Sequence, residues 1–93
     1  MAISETVENI FRLIGGRKML VMTGSKAVVI DDNTLAFSVP RNNLIHIKYN
    51  ESQDLFEMNF YKRNGDIKKS ITDLYADQLV EVFESETGLY TKL

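Results

Sequence analysis

Apolar positions in this chain switch between two periods, and the switches mark its elements. Val7, Ile10, Phe11 and Ile14 recur at spacings of three and four, which predicts a short helix over residues 4–14. Ser4 is a candidate N-cap, and Glu5 and Glu8 sit where the helix dipole favours negative charge. Gly15-Gly16 supplies the stop. Residues 17–23 are dense in apolar side chains and predict a buried strand. Gly24-Ser25 then turns the chain into a second strand over residues 27–30, and Asp31-Asp32-Asn33 is a polar turn. Leu35, Phe37 and Val39 alternate with Thr34, Ala36 and Ser38 in a third strand. Residues 40–43 break it, because Pro40 has no N–H to give to a ladder. Ile45, Ile47 and Tyr49 alternate with His46 and Lys48 in a fourth strand, and residues 50–54 form a loop.

The next hairpin carries its own turn chemistry. Asn64-Gly65 between residues 56–63 and 66–71 predicts a two-residue type I′ turn with Arg63 facing Asp66, Phe60 facing Lys69 and Met58 facing Ile71. That register collects Phe56, Met58, Phe60, Ile67 and Ile71 on one face, and Glu57, Asn59, Tyr61, Lys68 and Ser70 on the other. Asp73 is a candidate cap for a final helix over residues 74–87. Ala76, Leu79, Val80 and Phe83 form its apolar stripe, while Asp77, Glu81, Glu84 and Glu86 face elsewhere. Gly88 suits the left-handed conformation that ends a helix, after which Leu89 folds back onto Phe83. Helix, five or six strands and helix, joined by short connections, predict an α+β domain. Its antiparallel meander carries the N-terminal and C-terminal helices on one face.

Composition narrows the chemistry. At 93 residues the chain makes one domain, and a net charge of −2 argues against binding nucleic acid through bulk charge. No cysteine is present, so disulfides, thiol catalysis and thiolate metal sites are excluded. No apolar run nears the roughly 20 residues that span a bilayer, and no basic segment precedes an apolar stretch as in a signal peptide.

Candidate reactive groups lack companions. His46, flanked by Ile45 and Ile47, reads as a solvent-face or rim residue; a single imidazole leaves zinc only carboxylate-rich sites. No strained turn surrounds Ser4, Ser25 or Ser38. Asp31-Asp32-Asn33 lacks the alternating ligands and distal glutamate of a calcium loop. Gly15-Gly16 follows a helix, the reverse of a phosphate-cradling loop. Neither an enzyme nor a cofactor is expected. Two surfaces remain. Leu44, Tyr49, Tyr61, Tyr90 and Leu93 are candidate protein-binding residues, joined by sheet edges that accept a partner strand or a second copy. Lys62, Arg63, Lys68 and Lys69 beside Tyr61 are the alternative, a basic hairpin for nucleic acid. Its competing explanation is protection of an exposed sheet edge by lysine. Arg17-Lys18, Lys26 and Arg41 are too dispersed to make a second patch.

Several segments resemble one family. They are Leu13-Ile14-Gly15-Gly16, Met22-Thr23-Gly24-Ser25-Lys26, Pro40-Arg41-Asn42, the run from Asp54 to Phe60, Tyr75-Ala76-Asp77-Gln78-Leu79, and Phe83 followed by Thr87-Gly88-Leu89-Tyr90-Thr91. Together they are similar to small bacteriophage- and prophage-encoded proteins of unknown function, many from gut bacteria. Asparagine is common there where Arg17 stands, so no role for Arg17 follows. The resemblance implies a phage origin and a bacterial host cytoplasm, and it brings no catalytic or binding residues. The expectation is a non-enzymatic accessory protein that works by binding another protein, such as a host factor.

Overall fold

Ser4 ties the first helix to the sheet. Its hydroxyl oxygen accepts the Val7 N–H at 3.1 Å, and the same hydroxyl donates to the Asp32 carbonyl at 2.6 Å. The computed structural model describes residues 4–39, 44–62 and 64–88. Its elements are α1 (Glu5–Ile14), α2 (Gly16–Thr23), β1 (Lys26–Asp31), β2 (Thr34–Ser38), β3 (Leu44–Asn50), β4 (Leu55–Tyr61), β5 (Ile67–Leu74), a 3₁₀ turn (Ala76–Gln78) and α3 (Leu79–Thr87). Five antiparallel strands stand in chain order, β1-β2-β3-β4-β5, so the α+β meander is as the pattern predicts.

One apolar core joins the layers. Val7, Ile10 and Ile14 of α1, and Leu79 and Phe83 of α3, are buried together with Leu35, Phe37, Ile45, Ile47, Met58 and Phe60 of the sheet. In β3 and β4 the buried residues alternate with polar ones, Ile45 and Ile47 about His46 and Met58 and Phe60 about Asn59, which fixes the face that the helices cover. The helical residues fall three and four apart for the same reason.

Residues 17–23 are the largest correction: they form helix α2, not a strand. Met19 and Thr23, one turn apart, are buried, whereas Val21 is 81% exposed, a helical pattern. The Thr23 hydroxyl donates to the Met19 carbonyl at 2.8 Å and shares a 2.6 Å hydrogen bond with Ser25 Oγ. That satisfies both buried hydroxyls and closes the helix at Gly24, whose φ is 70°.

The β4–β5 hairpin keeps its expected register only in the middle. Met58 faces Ile71, Asn59 faces Ser70 and Phe60 faces Lys69, but a shift next to the turn sets Tyr61 opposite Ile67. Ile67 therefore leaves the apolar face and is 60% exposed. The Lys62 N–H donates to the Asp66 carbonyl at 2.7 Å, and the Gly65 N–H to the Lys62 carbonyl at 2.9 Å. Gly65 has φ 96°, and the Lys62–Asp66 bond closes a loop of three residues rather than the two of the expected type I′ turn. The expected partner of Asp66, Arg63, lies outside the described residues.

Asp73 does not cap the last helix. It sits within β5 at φ 59°, beside a second register shift, and Leu74 closes the strand instead of opening a helix. The 3₁₀ turn leading into α3 is capped instead: the Gln78 side-chain carbonyl accepts the Tyr75 N–H at 2.8 Å, while α3 itself has no side-chain cap. Ala76, expected on the buried stripe, is exposed in the 3₁₀ turn. Gly88 ends α3 in the left-handed conformation as expected, with φ 74° and its N–H on the Glu84 carbonyl at 2.9 Å. The fold-back of Leu89 lies outside the described residues.

Two substitutions test these assignments. A Cβ at Gly88 would meet nothing within 4 Å, so any penalty there comes from the backbone. Gly88→Val should lower stability by roughly 1–2 kcal/mol and Gly88→Asn by much less, read by chemical denaturation. Val21→Ala should raise stability by a few tenths of a kcal/mol, because alanine is the better helix former at an exposed position. A strand there would give the opposite sign.

Candidate protein-binding surface

The least protected part of the fold is β1. It pairs with β2 on one side, and no described strand pairs with the other. Ala27 and Val29 oppose Phe37 and Leu35, on the helix side of the sheet, whereas Val28 opposes Ala36 on the outer side. A register shift between Val29 and Asp31 leaves Ile30 without an opposite residue. Every residue of β1 is exposed, and Val28, Val29 and Ile30 keep 53%, 46% and 48% of their surface in solvent. Edge strands are ordinarily blunted by charge, proline or shortness. Here charge stands at the ends, on Lys26 and Asp31, and three consecutive β-branched residues lie between.

On its helix side β1 borders an open cleft of about 280 Å³. Val7 and Phe11 of α1, Leu20 of α2, Leu35 of β2, and Ala27 and Val29 of β1 line it, with Glu8 the one charged member. The helix α2 that the sequence pattern missed thus supplies one wall. An apolar trough beside an edge strand can take an extended chain, backbone on the edge and alternate side chains in the trough.

The residues expected to bind protein divide between the two faces of the sheet. Leu44 and Tyr61 oppose each other across β3 and β4 on the outer face, where the Tyr61 ring also lies 4.6 Å from that of His46. Tyr49 stands on the helix face, opposite Phe56, with ring centroids 5.1 Å apart. Tyr90 and Leu93 lie outside the described residues. Tyr49 opens onto a second, more polar cleft of about 630 Å³ shared with Arg12, Asp54 and Tyr75. Its hydroxyl donates to the Asp54 carboxylate, which holds the Tyr49 phenol above its usual range. Asp54 adopts φ 55°, so this contact fastens a tight turn.

The basic hairpin is partly neutralised. Lys69 Nζ lies 2.7 Å and 3.1 Å from the two carboxylate oxygens of Glu86. Lys62 and Lys68 are exposed, and Arg63 lies outside the described residues. Lys68, Lys69 and Tyr61 line a hollow of only about 40 Å³, too small for a base, and one side of Tyr61 is already against His46. Among the described residues no three His, Asp or Glu side chains converge as a metal site, and no helix is long and apolar enough to cross a membrane.

His46 occupies the middle of the outer face, between Ala36 and Asn59. Loss of solvation lowers its pKa below 6.5, and the Asp31 carboxylate opposes that shift. Protonation therefore favours the unfolded chain. The stabilisation is complete above about pH 6.5 and is lost as pH falls through that value toward the folded pKa. Asp31, held below 3.8 chiefly by the Asn33 N–H, withdraws its contribution only at lower pH. Denaturation at about pH 7.5 and 5.5 should show wild type losing stability and His46→Gln losing less. Equal losses would contradict the desolvated histidine.

Compared with protein-family models, curated proteins and solved structures, the chain matches none.

Proposed function

We propose that this chain is a non-enzymatic protein-binding module whose recognition element is the β1 edge. The observation that carries the reading is the run Val28-Val29-Ile30, half exposed on an edge strand beside an apolar cleft. A partner segment laid along β1 would gain main-chain hydrogen bonds from the edge and bury side chains against Val29, Phe11 and Leu20. Leu44 and Tyr61, on the outer face, are too far toward the middle of the sheet to belong to that edge. They form a separate, smaller surface. The resemblance of its glycine-centred segments to phage- and prophage-encoded proteins supports an accessory role on a host factor, in the bacterial cytoplasm.

Nucleic-acid binding by Lys62, Arg63, Lys68 and Lys69 is the weaker reading. Glu86 engages Lys69, and the chain as a whole is acidic. A pull-down from a bacterial host separates the two. The partner retained by wild type should be lost with Val29→Lys and kept with Lys68→Glu/Lys69→Glu. Retention indifferent to Val29→Lys would refute the β1 site. Salt-sensitive gel shifts abolished by the double lysine variant would favour the hairpin.

A further inference from the structure

We infer that β1 is self-complementary and pairs antiparallel with the β1 of a second copy, joining two five-stranded sheets into one of ten. The inference rests on the reading of β1 as the recognition element and names its occupant.

Charge placement selects this occupant. The strand begins at Lys26 and ends at Asp31, with only apolar residues between. A parallel copy would set like charges side by side. An antiparallel copy sets each cationic end against an anionic end, twice over.

Symmetry narrows the register. A two-fold axis normal to the sheet keeps both helix layers on one side, and it requires one residue of β1 to face its own counterpart. With Val28 on the axis, Ala27 meets Val29 of the second copy on the helix side, and the bulge at Ile30 carries Asp31 level with Lys26 on the outer side. With Val29 there, Lys26 would fall opposite the turn at residues 32–33, beyond the strand. The Val28-centred register satisfies charge and apolar contact together.

The same axis acts on the cleft. Ala27 and Val29 lie on the helix side of the strand and line the trough with Phe11 and Leu20. Pairing brings the two troughs edge to edge across the axis, and Val29 of each copy meets Ala27 of the other at their shared mouth. The Val28 side chains meet each other on the outer side, so apolar residues on both faces are covered in one step.

Sedimentation velocity of the full chain across a wide concentration range, with circular dichroism to confirm folding, reads the outcome. Wild type should convert from monomer to dimer as concentration rises. Val29→Lys should weaken that conversion about tenfold or more. Lys26→Glu and Asp31→Lys, both at exposed positions, should each weaken it, and the double variant Lys26→Glu/Asp31→Lys should restore it. Rescue demands that the two ends meet across copies. Wild type remaining monomeric throughout overturns the proposal; if Val29→Lys still abolishes partner retention, β1 receives a foreign strand and the binding reading stands. A dimer indifferent to Val29→Lys, or singles that weaken it without rescue, also overturns it. A monomer whose partner retention ignores Val29→Lys removes both readings.

Discussion

Covering one face of the sheet is the constraint from which the rest follows. Ile45, Ile47, Met58 and Phe60, all but excluded from solvent, need a roof, and Ile10, Ile14, Leu79 and Phe83 provide it. Burial of side chains this large stabilises by roughly 1.5–3 kcal/mol apiece, far beyond any surface ion pair in the molecule. The helices therefore settle where the apolar density is greatest. α1 packs over β2 and β3, near the centre of the sheet, and against α3. A roof of this width leaves the outermost strand only partly sheltered. The exposure of β1 and the trough beside it are two consequences of the same packing.

Where pattern and packing agree over a long enough window, the fold can be read from the chain. α1 has a cap, an acidic first turn and an apolar stripe, and β3 and β4 alternate cleanly. The Gly88 stop is likewise local, a matter of one backbone angle. Residues 17–23 fail because Met19, Leu20, Val21 and Met22 are consecutive, and an apolar run that short has no resolvable period. The distinction is made by Gly15-Gly16 as a joint between helices and by Thr23 closing on Met19, both dependent on tertiary context. Ile67 and Asp73 fail for another reason. A register shift moves a side chain to the other face without disturbing the composition that suggested the strand.

The surface was legible in its ingredients but not in its geometry. Val28-Val29-Ile30 is the kind of run that equally describes a central strand buried on both faces. Only the strand order, which ends at β1, turns it into an exposed edge. Tyr49 and Tyr61 illustrate the converse. Both are residue types favoured at interfaces, yet one is drawn toward the core beside Phe56 and the other leans on His46. The basic hairpin also changes meaning in three dimensions, because Glu86 from α3 reaches Lys69 across seventeen residues of sequence. Sequence proximity counted those lysines as one patch; the fold assigns one of them to an ion pair.

The energetics of β1 set the kind of binding it can support. Covering the remaining half of a valine or isoleucine side chain is worth roughly 1 kcal/mol. Association itself costs about 4–15 kcal/mol in lost rigid-body freedom. Three half-exposed side chains per strand, even doubled by symmetry, do not greatly exceed that cost. Edge hydrogen bonds and the end charges must supply the margin. Such an edge favours reversible pairing, in which one extended chain can displace another. An obligate interface would need more area than a six-residue strand and its flanking trough provide. A strand kept apolar on both faces, charged only at its ends and left at the margin of an otherwise well-roofed sheet is therefore suited to exchange of partners. Its two occupants, a second copy and a foreign strand, would compete for the same backbone groups.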